Sequence, residues 1–556
     1  MTDFITLHKR LVFACVVFLA IFLRFYQLGV NPPSLDWDET SIGYNAYSIL
    51  HTGKDEYGNR LPLSFRSFDD YKPPILIYLT VPSVAIFGLT ELAVRLPAAV
   101  FGVIGVIAVY FLVKELLQSK SGKKTITPEV QQSIAFLAMI FLAISPWHLQ
   151  FSRAAFEGNI GLTFLLLALI FFFKAWQKAY YYFLFSLFFI LSMYSYHSFR
   201  LLDPLVLLIL IVFFTKQLLQ QKKIFIFSFI LIVLSTIPIY TSVFASQGTG
   251  ARLSMVTVFS DPRLQQISAE QVLLAKKQHN ILNQLLYDRR IIFIPSIVKG
   301  YFDHFNFDFL FVHGDGGVQH HAYQMGMLYL WDSPFVIAGI IFLLRHRTKR
   351  ILLLFLIFIL APLPSAITTG TPHPVRAIAM MPAFQIFAAT GIVWLAVFLQ
   401  KKKKFNLIAI SVVVLLFAIN FVYYLNSYFV LTPIHYGYFW QFGNKEAVLY
   451  AKAHESEYEQ IIMTYTYDQP YIYYLFYHKI DPVWYQKNWN YSENGEVQRF
   501  YRKIGKYEFM NITPKDFSRK KTLLIGTPSE IPDNVGEIKE VIHFPDGRVA
   551  YKIVAL

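Results

Sequence analysis

Eleven apolar runs, each set off from the next by a polar or basic break, dominate the chain and restrict it to an all-α, polytopic membrane fold. They lie at approximately 11–28, 93–116, 133–147, 159–176, 180–195, 201–215, 224–244, 333–344, 351–367, 375–399 and 405–425. A helix needs about 20 apolar residues to cross the hydrocarbon core, so the shorter runs are expected to extend into flanking aromatic belts. Composition agrees: 15% of the residues are charged, where a soluble domain carries about 25%. Most of the surface therefore faces something other than water.

The formal net charge of +15 invites a nucleic-acid partner, but the position of the basic residues argues against one. With the N-terminus inside, the cytoplasmic segments are the N-terminal tail, 114–132, 174–178, 216–223, 345–350 and 401–404. They carry 2, 4, 2, 3, 4 and 4 Lys or Arg against three acidic residues in all. Every second loop is basic, as the positive-inside rule requires of an N-in chain with an odd number of spans. Residues Ile75 to Gly88 are apolar but too short to span, and Pro73 and Pro74 precede them. Counting them as a span would invert the alternation, so they are expected to form an interfacial or re-entrant helix on the outer face. The N-terminus has a signal-like pattern with no small-residue cleavage site and is read as an uncleaved first span. Cys15 stands alone, which leaves no disulfide framework and no cysteine-based metal site.

Two domains are expected: a transmembrane domain over 1–428, with outer loops at 29–92 and 245–332, and an extracytoplasmic α/β domain over 429–556. The second turns polar and alternates strand-like runs (461–464, 522–526) with a helical one, ending in a hairpin around Pro545-Asp-Gly-Arg548. Within 245–332 a basic helical stretch runs from Gln271 to Arg290.

Charges unexplained by topology collect near one interface. The first outer loop holds Asp36, Asp38, Glu39, Asp55, Glu56, Asp69, Asp70, Lys72, Glu91 and Arg95. Arg24 ends the first span, and Arg153 with Glu157, His197 with Arg200, and His373 with Arg376 open later ones. Charge near hydrocarbon costs a few kcal/mol or more, so a ring of both signs points to a polar cavity opening outward. Blander readings stand beside this one. Arg24 and Arg95 fit snorkelling side chains, His148 and the His320–His321 pair fit interfacial or loop histidines, and Asp36-Trp-Asp-Glu39 fits a solvated turn. Many outer tyrosines suit sugar stacking and an ordinary aromatic core equally.

The order of motifs carries a resemblance. Asp38-Glu39 follows the first span, Lys72-Pro73-Pro74 precedes an apolar half-helix, and Gly88-Leu-Thr-Glu-Leu-Ala-Val-Arg95-Leu-Pro97 opens the next span. This set resembles the GT-C glycosyltransferases of the protein O-mannosyltransferase type and the bacterial transferases that add aminoarabinose to lipid A. The likeness is strongest over about 10–115, general in topology to about 428, and absent from the C-terminal domain. It implies a transferase whose donor is a sugar on a polyprenyl monophosphate and whose acceptor is an extracytoplasmic hydroxyl of a lipid, protein or polysaccharide, with inversion at the anomeric carbon. It further implies Asp38 as general base with Glu39 orienting or substituting, and Arg95, Lys72 and Arg24 as donor-phosphate ligands. Asp70, Glu157, Arg200, His373 and Arg376 are candidates for completing the pocket. The resemblance fixes no cofactor, and a divalent metal held by Asp38, Asp70 and a histidine is an open alternative. Relatives of the lipid A type have an acidic residue directly before the Lys-Pro pair, where this chain has Tyr71, so no metal site is carried over through that position. The membrane is expected to be a bacterial plasma membrane, with the site facing outward.

Two other classes compete. A transporter or flippase of lipid-linked sugars needs polar groups at the bilayer midplane, whereas these spans are nearly charge-free there. A non-catalytic membrane subunit would leave Asp36-Trp-Asp-Glu39 without a duty.

Overall fold

The computed structural model describes residues 8–68, 70–118, 126–241, 256–399, 403–488 and 501–556. Asp69, the lysines at 120–124 and Lys401 and Lys402 lie outside the described residues.

The chain is an integral membrane protein, mostly helical. Among the described residues, seven helices are long and apolar enough to cross a bilayer: Glu91–Leu116, Glu157–Lys174, Phe199–Gln220, Lys222–Thr241, Lys349–Ala366, Ile378–Leu399 and Ile408–Tyr436. An eighth arises if Pro128–Ile144 and Pro146–Arg153, bent by 54°, form one broken span. The bend falls at Pro146, whose ring removes a backbone donor. The other expected runs are also helical but shorter: Lys9–Phe25 has 17 residues, Tyr181–Ser195 has 15 and Asp332–Arg345 has 14. Pro74–Phe87 is a 14-residue helix with proline at its start, which explains its abrupt beginning.

By contact the chain divides into two compact units that cut across the expected boundary at 428. The first comprises 1–24, 100–152 and 156–424. Its tightest helix pair is Asp332–Arg345 against Met381–Leu399. A Cβ at Gly339 would collide with the Phe387 carbonyl oxygen, and one at Gly391 with that of Phe335. Small residues let the two backbones meet, as membrane helix pairs commonly require.

The second unit comprises 25–99, 153–155 and 425–556. Its sheet contains β3 (Gln460–Met463), β4 (Arg502–Ile504), β5 (Tyr507–Phe509), β6 (Thr522–Gly526), β7 (Glu537–His543) and β8 (Val549–Ala555), in the order β4-β5-β3-β6-β8-β7. The central strand β3 pairs parallel with β5 and β6, and the remaining pairs are antiparallel. Both expected strands and the expected hairpin (β7–β8) are present. A separate two-stranded ribbon joins β1 (Phe65–Ser67) to β2 (Asp70–Lys72).

Candidate active site

Helix Trp37–Thr52 sets the geometry. Asp36 is its N-cap: the carboxylate accepts from the Glu39 amide at 2.7 Å, and Glu39 Oε2 accepts in return from the Asp36 amide at 3.4 Å. This capping box satisfies two otherwise orphaned donors and pins the first turn, where Asp38 and Glu39 sit side by side. Burial, followed by repulsion from Glu39 and Asp38, holds the Asp36 carboxyl well above the usual carboxylate range.

The two first-turn carboxylates have opposite surroundings. Glu39 is buried, and the guanidinium of Arg95 meets it in a two-point contact, Nε to Oε1 at 3.0 Å and Nη2 to Oε2 at 2.9 Å. Oε1 also accepts from the Ala155 amide at 2.9 Å. The remaining Arg95 hydrogens go to the carbonyls of Leu28 (3.3 Å), Pro32 (2.8 Å) and Ser34 (2.6 Å). All five guanidinium donors are thereby engaged, and the side chain has no exposed surface. Arg95, expected from the resemblance to grip a phosphate, instead ties the turn at 28–34 to Glu39. Asp38, by contrast, is 49% exposed and pairs with Lys72 Nζ at 2.8 Å. Lys72 ends β2 and is itself only 7% exposed, so its ammonium is aimed by the ribbon and by the prolines that follow. Asp70 lies in the same strand, its carboxylate accepting from the Tyr71 amide at 2.7 Å.

Arg153, read from the sequence only as an outer-facing charge, belongs to this unit. It donates to the Tyr428 hydroxyl at 3.2 Å and the Asn31 carbonyl at 3.0 Å, with the Tyr428 and Phe429 rings beneath it. The C-terminal residues brace the site-bearing helix. Gln441 Oε1 accepts from the Trp37 amide at 3.0 Å and from the Tyr473 hydroxyl at 3.1 Å, and Tyr473 also contacts the Leu35 carbonyl. Gly43 faces Phe476, whose ring would lie 2.5 Å from a Cβ there. No local signal in the sequence marks these long-range partners.

The other expected site residues lie in the first unit. Arg24 donates to the carbonyls of Ala20, Leu142 and Ala143 and lies 2.6 Å from His148 Nδ1. Glu157 begins its helix. Arg200 contacts the Met193 carbonyl and His197. The His373 amide donates to His304, its ring lies 4.8 Å from that of His320, and Arg376 holds Thr368 and Thr369. Among the described residues no group of three or more His, Cys, Asp or Glu side chains is arranged to hold a metal ion.

Comparison with known proteins matches residues 71–240 to the family model described as dolichyl-phosphate-mannose-protein mannosyltransferase. The family resemblance drawn from residues 38–97 is thus met by an independent match over less than half of the chain. No curated protein matches. Among solved structures, the oligosaccharyltransferase of Archaeoglobus fulgidus with zinc and sulfate is similar at 15% identity and a TM-score of 0.44, covering 74% of this chain and 52% of that one. This chain therefore spans about half the length of that relative. ArnT from Cupriavidus metallidurans bound to undecaprenyl phosphate is similar at 12% identity and a TM-score of 0.49, covering 100% and 98%.

Proposed function

We propose that the chain is a membrane glycosyltransferase that moves a sugar from a polyprenyl-phosphate donor to an acceptor hydroxyl on the extracytoplasmic side, with inversion. The observation that carries this reading is the Asp38–Lys72 pair: one carboxylate open to solvent, one buried ammonium against it, beside a second carboxylate locked in place. The family match supports the donor class.

A polyprenyl tail stays in the bilayer, so the sugar phosphate is met at the interface. Phosphate is a good leaving group and needs no acid partner, unlike the two-carboxylate arrangement of glycosidases. In the free protein Lys72 neutralises Asp38. When the donor phosphate arrives, Lys72 turns to it and Asp38 is released to act. Asp38 takes the acceptor proton, and the acceptor oxygen attacks the anomeric carbon on the face opposite the phosphate. The C–O bond to phosphate breaks, and the leaving oxygen keeps the electron pair under the Lys72 charge. Glu39 and Arg95 act on the reaction by fixing the helix turn that carries Asp38. A general base contributes about 10²–10⁴-fold, and one well-placed donor to developing charge about 10²–10³-fold.

The basic-loop alternation supports eleven spans, a cytoplasmic N-terminus and a site facing outward, with a bacterial plasma membrane as the setting. The test is turnover by the purified protein in vesicles, offered a panel of polyprenyl-phosphate sugars, wild type against Asp38→Asn. Consumption of one donor by wild type with release of polyprenyl phosphate, reduced about 10²-fold or more in the variant, is expected. Equal turnover by Asp38→Asn removes Asp38 as base. A wild type that neither binds nor turns over any donor removes the transferase reading.

A further inference from the structure

Between the helices Lys222–Thr241 and Asp332–Arg345 lie shorter helices whose amphipathicity is reversed for water. In Ile281–Leu286 the side chains of Ile281, Leu282, Leu285 and Leu286 are 50–80% exposed. The polar residues of the same helix turn inward: Asn283 and Gln284 are half-buried, and Gln284 reaches the Ala275 carbonyl. In Ile294–Asp303 the residues Ile294, Val298 and Phe302, four apart and so on one face, are 48–64% exposed.

Position and charge give this surface a context. Ile294–Asp303 is anchored to the spanning helix Lys349–Ala366, because the Tyr301 hydroxyl donates to the Ile359 carbonyl at 3.0 Å. Its exposed apolar stripe is therefore held beside a helix that crosses the bilayer. The apolar helix Ile281–Leu286 is flanked by exposed cations, Lys276 and Lys277 before it and Arg289 and Arg290 after it. Arg289 and Arg290 also line a recess of about 780 Å³ with Ser268 and Asp288. Apolar residues beside clustered Lys and Arg are the pattern of a helix lying in the headgroup–acyl boundary of an anionic bilayer.

We propose that residues 276–302 form an interfacial element that buries its apolar faces in the lipid and holds anionic phospholipid headgroups with Lys276, Lys277, Arg289 and Arg290. The inference is independent of the reaction and needs no substrate.

The single cysteine makes the test direct. On a Cys15→Ser background, a nitroxide is placed at Leu282→Cys or Val298→Cys, with Lys521→Cys in the C-terminal domain as the water-exposed reference, and the full protein is reconstituted in bilayers. Power-saturation measurements are expected to show molecular oxygen outcompeting a water-soluble nickel chelate at 282 and 298, and the reverse at 521. Replacing part of the phosphatidylcholine with phosphatidylglycerol is expected to deepen the 282 label. Lys276→Glu/Lys277→Glu/Arg289→Glu/Arg290→Glu is expected to abolish that shift while leaving the 521 reading unchanged. Labels at 282 and 298 as accessible to nickel as the one at 521 would overturn the proposal. Labels shielded from both oxygen and nickel would also overturn it, because they would mean a protein partner covers the face. Depths indifferent to phosphatidylglycerol and to the charge reversal would overturn the headgroup assignment.

Discussion

At the scale of single residues, Arg95 and Lys72 divide the work that the motif order assigned jointly. Arg95 sits where the resemblance puts a phosphate ligand, yet its hydrogens are taken by Glu39 and by carbonyls 61–67 residues away in the chain. A motif shows which residue stands at a position, not how many of its donors the fold has already engaged. The same limit applies to Arg24, whose carbonyl partners at Leu142 and Ala143 lie 118 and 119 residues on. Asp38 and Lys72 stand out in the sequence because both the motif and the chemistry mark them, and the fold pairs them. The division makes a paired prediction. Arg95→Ala leaves Glu39 buried without its cation, and breaking a buried pair from one side costs about 3–5 kcal/mol. A lower melting temperature in detergent is expected, with donor present or absent. Lys72→Ala removes a pair whose acid is half exposed, worth about 1 kcal/mol at most. Melting is expected to be nearly unchanged while donor affinity falls. Melting curves and donor titrations on both variants check this, and interchange of the two phenotypes would reverse the roles.

At the scale of elements, hydropathy runs translated into helices at nearly every expected place, because the bilayer leaves a backbone few ways to satisfy its own hydrogen bonds. Less visible was what holds helix Trp37–Thr52. Its far end rests on a buried polar cluster: Glu56 accepts from Asn45 Nδ2 at 3.1 Å, and Arg502 stacks on Tyr471 at 3.4 Å while donating to Tyr485. Burial pushes the Glu56 carboxyl up to about 7, opposed by Arg502, Asn45 and Arg66 and assisted slightly by Asp55. The sign follows from linkage. A group whose folded-state value is raised contributes stability that is fully present below the unfolded value, 4.5, and lost as pH rises through about 7. Between those limits the folded state binds the extra proton, so stability falls with pH by roughly 3 kcal/mol at 1.36 kcal/mol per unit. Asp36, raised in the same direction, adds to the slope. Melting temperatures between pH 5 and 8 are expected to decline in wild type and to decline less in Glu56→Gln. Equal slopes would place the titration elsewhere.

At the scale of the whole molecule, the sequence suggested a membrane domain followed by an appended one, whereas contacts gather 25–99 and 425–556 into one unit. The Trp37–Gln441 hydrogen bond spans 404 positions. Closing so long a loop carries no local signature, and its entropic cost grows only with the logarithm of its length. A consequence concerns topology. Residues 37–72 and the C-terminal sheet share a compact body, so they must lie on one side of the membrane. On the proposed topology that side is the outside, and a shared side requires an even number of spans between them. On the Cys15→Ser background, a membrane-impermeant maleimide added to intact cells is expected to label Arg60→Cys and Lys521→Cys, and to reach Lys216→Cys only after permeabilisation. Labelling at 60 but not 521 would break the even count and require one of the short helices, Tyr181–Ser195 or Asp332–Arg345, to leave the bilayer. Labelling at 216 alone would invert the whole chain and place Asp38 in the cytoplasm, where an extracytoplasmic acceptor could not reach it.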